Sequence, residues 1–189
     1  MIDPRKITKF DRTNDELLEF WLFCLFVAGK TAKVQAQKLE DFLNDLPGNG
    51  TVNKITKPLN LHLIDQKLKE HKTGKYNTLT EAIRQTEEII RHNSNWLKTC
   101  SHHDLESVKG CGPKTSRFFL LHSRPNQEFA VLDTHILKWL RDNHNIKVPK
   151  STPGKLEYSR LEKKFLEIAK KQNKSLADLD LEIWNSYAR

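Results

Sequence analysis

Two short segments indicate the fold of this chain: Val108-Lys109-Gly110-Cys111-Gly112-Pro113-Lys114-Thr115, and then Leu132-Asp133-Thr134-His135-Ile136. Two glycines one residue apart, between helix-forming segments, permit a turn tight enough to press backbone amides against an anion. Pro113 suits the first position of the next helix, where its missing N–H is not needed. Lys114 then lies in the first turn of that helix, and Asp133 lies where a further helix is predicted to begin. The two segments therefore combine a phosphate clamp, an amine and a carboxylate.

Helical periodicity dominates the rest of the chain, and strand-like alternation is scarce. Either Thr13 or Asn14 is expected to cap the first helix, and Gly29 to end it. In the second helix, the residues expected to face inward are Val34, Leu39, Phe42, Leu43 and Leu46. The sequence thus predicts an all-α fold with helices over residues 14–28, 31–46, 59–72, 78–92, 101–107, 113–123, 134–143, 155–172 and 175–187.

The chain is basic, with 32 Lys and Arg against 24 Asp and Glu, a net charge of +8 and a pI near 9.4. A small basic protein without an acidic tail is expected to bind polyanions. Basic composition alone fits a merely soluble protein equally well. The glycine turn beside the charge favours a nucleic acid as the partner.

Cysteine usage and hydropathy exclude several classes of protein. The three cysteines, Cys24, Cys100 and Cys111, show no pairing or metal-ligand spacing, and an odd count argues against a disulfide framework. Three cysteines also cannot hold a four-cysteine iron–sulfur cluster. The longest apolar run, residues 20–28, is too short to span a membrane and too far inside the chain for a signal peptide. We expect a soluble intracellular protein of the cytoplasm or nucleoid, with no membrane partner and no metal site.

Two motifs resemble the helix-hairpin-helix DNA glycosylase superfamily, which includes endonuclease III, the adenine glycosylases and the 8-oxoguanine glycosylases. They are Val-x-Gly-x-Gly-x-Lys-Thr at residues 108–115 and Phe-Ala-Val-Leu-Asp-Thr-His-Ile at residues 129–136. Weaker similarity over residues 23–32, 116–120 and 179–184 is to the short 8-oxoguanine DNA glycosylase/AP lyases, which lack an N-terminal β domain. The missing cluster cysteines argue against a close relative of endonuclease III or the adenine glycosylases.

The resemblance implies a role for each motif residue. Val108, Lys109, Gly110 and Gly112 would form a hairpin that binds DNA phosphates through backbone amides without reading sequence. Carbonyls near Val108 and Gly110 can hold a monovalent cation that bridges to the phosphate. No organic cofactor and no catalytic metal are expected.

Lys114 would attack C1′ of a nucleotide flipped out of the duplex, expel the base and form a Schiff base that permits β-elimination. Its amine must first lose a proton, which burial, the helix N-terminus and neighbouring cations such as Lys109 or Arg117 would favour. Asp133 would stabilise positive charge on the sugar. Taken without the resemblance, Lys114 is an ordinary solvated lysine or a phosphate contact, and Asp133 is an ordinary helix cap.

The base pocket is the least determined part of the site. Trp184 is the best candidate to stack on a flipped base, because the matching segment of the resembling class lies near the base. That class commonly ends in a basic residue whose terminus helps to read the damaged purine. Here Arg189 takes that place, only five residues after Trp184.

The chain is accordingly expected to be a monomeric two-lobed glycosylase acting on double-stranded DNA that carries a damaged base. A hairpin-bearing lobe is expected over about residues 30–125, and a second lobe over about residues 1–29 plus 126–189. The expected activity is removal of 8-oxoguanine followed by strand cleavage. The alternatives are excision of an oxidised pyrimidine or of a mismatched or modified base, a hairpin module that binds DNA without catalysis, and a helical adaptor.

Overall fold

A computed structural model describes residues 2–56 and 61–187, with the side chain of Leu61 excluded. Over these residues the fold is all-α, as predicted, with a short 3-10 turn at Pro4–Lys6 and eleven α-helices and no strand. The helices are α1 (Asn14–Phe26), α2 (Ala32–Asn44), α3 (Thr51–Thr56), α4 (Leu61–Glu70), α5 (Tyr76–His92), α6 (Trp96–Thr99), α7 (His102–Glu106), α8 (Pro113–Ser123), α9 (Thr134–His144), α10 (Lys155–Gln172) and α11 (Leu176–Tyr187).

The chain divides into two compact units. The first is built on Asp11–Gly112, and the second on residues from Pro113 onward together with Arg5–Phe10. These units differ from the lobes expected from the sequence, which placed residues 1–29 with the C-terminal part. The physical reason is that α1 packs against α2, α3, α5 and α6, so residues 11–29 belong with the helices that follow them.

In the first unit, α1 forms the centre of the core. Its residues Phe20–Phe26 are all buried, which is typical of a helix surrounded by other helices. Thr13 caps it: the Thr13 hydroxyl accepts from the Glu16 amide, and the Glu16 carboxylate accepts from the Thr13 amide. Trp21 anchors the helix to α5 by donating its indole N–H to the Thr86 hydroxyl at 3.0 Å.

The second unit has its own core, formed between α9, α10 and α11. Its buried apolar side chains include Leu132, Ile136, Leu137, Leu140, Tyr158, Leu161, Phe165, Leu179 and Ile183. Because α8 and α9 both contact α11, the residues that begin α8 and α9 belong to the same compact unit. This places the amine and carboxylate singled out in the sequence, Lys114 and Asp133, within one unit.

Three details of the helical prediction were wrong. Val34 was expected to face inward but is 48% exposed, and Gln35, at 4%, occupies the buried position. Two short helices, α3 and α6, were not predicted. The first amides of α3 are stabilised from another element, since the Asp15 carboxylate on α1 accepts from the Val52 amide at 2.7 Å. Because the capping residue is distant in sequence, the residues around α3 carry no capping pattern from which the helix could be predicted.

No helix in the described ranges has the length and apolar character needed to cross a membrane. The predicted helix over residues 59–72 is described from Leu61 onward, and its first two residues lie outside the described ranges.

Candidate functional site

The glycine turn predicted at residues 108–112 lies in the first unit, directly after α7. Gly110 adopts a left-handed backbone with φ of 82°. A Cβ atom built there would lie 2.6 Å from Cγ2 of Thr78, in the first turn of α5. Both the backbone and the close contact therefore require glycine at this position. Gly112 is different, because its φ is not positive and a Cβ atom there would meet nothing within 4 Å.

The turn leaves some of its amides available to a ligand. The Cys111 amide donates to the Val108 carbonyl at 3.0 Å, and the Lys109 amide donates to Oε1 of Gln85 at 2.8 Å. Within the part of the chain that the structure describes, the amides of Gly110 and Gly112 donate to no other group. Two unused donors in an exposed glycine turn can bind a phosphate oxygen.

Lys114 occupies the second position of α8, in the second unit. Its side chain is half-buried, and Nζ lies 4.9 Å from the centre of the Phe118 ring, one helical turn ahead. The guanidinium of Arg117, one turn further along α8, pairs with Glu162 at 2.9 Å and stacks on Tyr158.

Asp133 is the N-cap of α9, as predicted. Its Oδ1 accepts from the amides of His135 and Ile136, each at 2.9 Å. Burial raises the pKa of the Asp133 carboxyl, and the negative charge of Asp180 raises it further, against the opposing effects of the Ile136 amide and the Lys114 ammonium. In the described residues Oδ2 has no hydrogen-bond partner and remains available to a reacting group.

Asp180 on α11 was not singled out in the sequence. It is buried, and its Oδ2 lies 3.0 Å from Nε2 of His122 on α8. The opposite ring nitrogen of His122 lies 2.7 Å from the Thr8 hydroxyl. The sequence did contain a signal, since Asp180 stands at helical spacing between the buried residues Ala177 and Ile183, where an apolar residue would be expected. After burial, the negative charge of Asp180 is the next effect that raises the pKa of Asp133.

A second buried network holds the segment just before Asp133. The Tyr158 hydroxyl donates to the Ala130 carbonyl at 2.7 Å and accepts from the Leu132 amide at 3.1 Å. Glu162 accepts from the Ala130 amide at 3.1 Å. Both side chains come from α10. The extended backbone that leads into the cap is thereby fixed by residues far along the chain.

Trp184 packs near the start of α9. Its indole meets the His135 ring edge-on, with centroids 6.1 Å apart, two residues after Asp133. Trp21, Trp96 and Trp139 pack against other aromatic rings of the cores. Arg189, the other predicted pocket residue, lies outside the described residues. In the described ranges no group of three or more His, Cys, Asp or Glu side chains is arranged to hold a metal ion.

Comparison with known families gives one match that covers most of the chain. Residues 4–174 match the family model described as 8-oxoguanine DNA glycosylase. An 8-oxoguanine DNA glycosylase/AP lyase of Thermoplasma volcanium is 31% identical over 181 residues, covering 93% of this chain and 82% of that protein. Its counterpart in Methanocaldococcus jannaschii is 26% identical over 178 residues, covering 92% and 81%.

Solved structures show the same fold. The M. jannaschii 8-oxoguanine glycosylase/lyase, in complex with a 15mer DNA containing 8-oxoguanine, matches with a TM-score of 0.72 at 23% identity, over 92% of this chain and 81% of that one. The 8-oxoguanine DNA glycosylase of Thermotoga maritima also gives a TM-score of 0.72, at 22% identity, over 92% and 80%.

Proposed function

The chain belongs to the 8-oxoguanine DNA glycosylase family, and we propose on that basis that it removes 8-oxoguanine from duplex DNA and then cleaves the strand as an AP lyase. The observation that supports this most directly is the placement of Lys114 and Asp133 in one compact unit, with Oδ2 of Asp133 free of the cap. As part of the same proposal, the protein acts inside the cell as a monomer on double-stranded DNA.

The proposed chemistry begins with the Lys114 amine. Nζ attacks C1′ of the flipped nucleotide, the N-glycosidic bond breaks, and the base leaves with its bonding electrons and takes up a proton. Ring opening then gives a Schiff base between Nζ and C1′. Loss of a C2′ proton breaks the C3′–O bond and releases the 3′ phosphate, which is the β-elimination step.

Asp133 supports two parts of this sequence. While ionised, it stabilises positive charge that develops on the sugar as the base departs. The pKa of Asp133 is raised toward the working pH, which suits a group that accepts a proton from the attacking amine. The cap bonds through Oδ1 keep Oδ2 oriented for both tasks.

The hairpin supplies binding that is independent of sequence. The unused amides of Gly110 and Gly112 would donate to a phosphate oxygen, with Lys109 adding a charge beside them. Carbonyls of Val108 and Gly110 would hold a monovalent cation that bridges to the same phosphate. Trp184 would stack on the flipped base, and Arg189 would contribute to reading it.

Borohydride trapping tests the proposal. Duplex oligonucleotides carrying 8-oxoguanine, thymine glycol, uracil or an abasic site are incubated with wild type, Lys114→Ala and Asp133→Asn. A covalent adduct is expected with 8-oxoguanine and with the abasic site, and Lys114→Ala should abolish it. Tight DNA binding with no adduct on any substrate would overturn the Schiff-base mechanism. An adduct formed first on another lesion would overturn the substrate assignment.

A further inference from the structure

Three lysines of the first unit converge without any carboxylate between them. They are Lys30, just after α1, Lys38 on α2, and Lys75, which caps α5, and together they form the three-lysine cluster. The positive charges of Lys75 and Lys38 act on Lys30, whose pKa is lowered first by burial and then by these two neighbours. The residues at 2–56 and 61–187 provide no acid in ion-pair contact with any of the three.

Backbone carbonyls hold the cluster together. Lys38 donates to the Lys72 carbonyl at 2.5 Å, and Lys75 donates to the Ala28 carbonyl at 2.7 Å. Lys30 donates to the carbonyl of Thr73. These carbonyls follow the ends of α1 and α4, where lysine side chains are favourable. Each ammonium has three donors and uses one here, so that further donors remain for a ligand.

Two glycines in left-handed turns lie beside the lysines, and Gly74 leaves room for an ammonium group to approach closely. Gly29 and Gly74 both have left-handed backbones, with φ of 72° and 69°. A Cβ atom at Gly74 would lie 3.1 Å from Nζ of Lys30, and one at Gly29 would lie 3.9 Å from Nζ of Lys75. The ammonium group of Lys30 therefore lies over Gly74, and the ammonium group of Lys75 lies over Gly29.

Several other cations of the same unit are neutralised by acids, unlike the three lysines of the cluster. Lys67 pairs with Glu70 at 2.7 Å, Lys69 pairs with Asp65 at 2.5 Å, and Arg84 pairs with both Glu81 and Glu88. Mutual repulsion makes an unneutralised group of lysines unfavourable unless an anion joins it. A negatively charged group would neutralise the cluster, and the described part of the chain does not supply one.

The cluster lies at the end of α5 that the hairpin contacts, and this position indicates which anion would bind there. Lys75 is the N-cap of α5, and Thr78, three residues later, is the residue against which Gly110 of the hairpin packs. At about 1.5 Å of rise per residue, Lys75 and Thr78 lie within one turn of each other, at the N-terminal end of α5. A ligand whose phosphate meets the hairpin there would extend its neighbouring phosphates toward the cluster.

We propose that the three-lysine cluster is a second phosphate-binding site for duplex DNA, adjacent to the hairpin on the first unit. This inference rests on the proposed function, since it takes the same DNA as the ligand. The site contacts backbone phosphates only and adds affinity without sequence or lesion preference. Its contribution is electrostatic and therefore falls as salt rises.

Salt-dependent binding tests the cluster. Affinity for an undamaged duplex is measured by fluorescence anisotropy from 50 to 200 mM KCl for wild type and for Lys38→Gln/Lys75→Asn, in which asparagine tolerates the left-handed backbone of position 75. The slope of log K against log salt should become shallower by about 1 to 2, because each lost phosphate contact removes about 0.9. The matched control, Lys69→Gln/Lys98→Gln, removes the same charge from exposed positions on α4 and α6 and should leave the slope unchanged.

Two outcomes would overturn the inference. One is a slope equal to that of wild type, even if the melting temperature falls, because that result means that the lysines only cap α1 and α4. The other is an equal change in slope for the control, which means that net charge alone is responsible. Single-turnover excision of 8-oxoguanine at saturating enzyme is measured in parallel. Its absence in wild type would refute the proposed function, while the binding slopes would still decide the cluster.

Discussion

At the scale of single residues, Asp133 combines a structural role with the chemical role that we propose for it. One carboxylate oxygen caps α9 through the amides of His135 and Ile136. The proposed chemistry uses the negative charge of this carboxylate. Burial and the negative charge of Asp180 both raise the pKa of Asp133 and so disfavour that charge. Catalytic groups are often held in surroundings that disfavour their working charge state.

Replacing Asp133 with asparagine should therefore separate stability from activity. Asparagine caps helices as well as aspartate does, so α9 should persist. Because the folded pKa of Asp133 is raised, ionisation costs the folded state stability above that pKa, and the cost disappears below the unfolded value. Asp133→Asn should thus melt at a higher temperature than wild type at neutral pH, with the gain lost as pH falls through the folded pKa. Adduct formation should drop sharply at every pH.

Thermal unfolding across pH provides the measurement, with Asp142→Asn as the control. Asp142 lies on the same helix but is exposed and pairs with Arg141. A lower melting temperature for Asp133→Asn at neutral pH would show that attraction between the carboxylate and its surroundings outweighs its desolvation.

The two hairpin glycines should respond differently to alanine. At Gly110 a methyl group meets Thr78 and the backbone is left-handed, so Gly110→Ala should lose about 1–2 kcal/mol of unfolding free energy along with DNA affinity. At Gly112 the space is open, so Gly112→Ala should fold normally and lose DNA affinity only because the methyl group obstructs the phosphate. Urea unfolding and duplex binding distinguish these effects. Unchanged affinity in Gly112→Ala would exclude its amide from the phosphate contact.

At the scale of helices, α10 positions the cap of α9 from a distance. Tyr158 holds the carbonyl and amide on either side of Val131, and Glu162 holds the Ala130 amide. The described residues offer the segment 130–132 no partner strand, so these side chains take up the Ala130 amide and carbonyl and the Leu132 amide, while the Val131 carbonyl accepts from the Asp133 amide. The orientation of Asp133 is therefore determined by a helix that begins more than twenty residues later.

Tyr158→Phe removes both backbone contacts of that hydroxyl while keeping the ring. Leaving two buried backbone groups without partners should lower the unfolding free energy by about 2 kcal/mol or more. It should also slow base excision at saturating enzyme, because the cap is less well held. Tyr187→Phe is the matched control, since the Tyr187 hydroxyl bonds to Asn143 on the exposed surface and its loss should stay within about 0.5 kcal/mol. Normal excision in a destabilised Tyr158→Phe would restrict Tyr158 to a structural role.

At the scale of the whole molecule, the chain folds as two compact units, each with its own apolar core. The first is centred on α1, and the second on the faces of α9, α10 and α11. The hairpin and the three-lysine cluster belong to the first unit, whereas Lys114, Asp133 and Trp184 belong to the second. The residues proposed to bind phosphate and those proposed to break bonds thus belong to different units, although only Pro113 separates Gly112 from Lys114.

Phe165 tests the second core. It is fully buried against Trp139 and the other residues of that core. Phe165→Ala should lower the unfolding free energy by about 3–5 kcal/mol, through lost burial and the cavity that remains. Leu156→Ala, on the same helix but at a side chain 92% exposed, should change it by less than about 0.5 kcal/mol. Equal losses in urea titrations of the two variants would contradict the assignment of Phe165 to the core.

Features that depend on local chemistry could be predicted from the sequence. Apolar spacing at a period of 3.6 gave the long helices, Pro113 and Asp133 gave the starts of α8 and α9, and the positive charge with the glycine turn indicated DNA. These signals lie within a few neighbouring residues, so that no tertiary contact is needed to read them.

Contacts between residues far apart in the sequence could be seen only in the packed structure. It placed α1 with the first unit, gave α3 a cap from Asp15, paired Asp180 with His122, and brought Lys30 and Lys75 together over two turns. Each of these contacts joins residues whose local patterns are ordinary. Burial and electrostatic coupling depend on the surrounding protein, and the surroundings of a residue are set by the packing of distant helices.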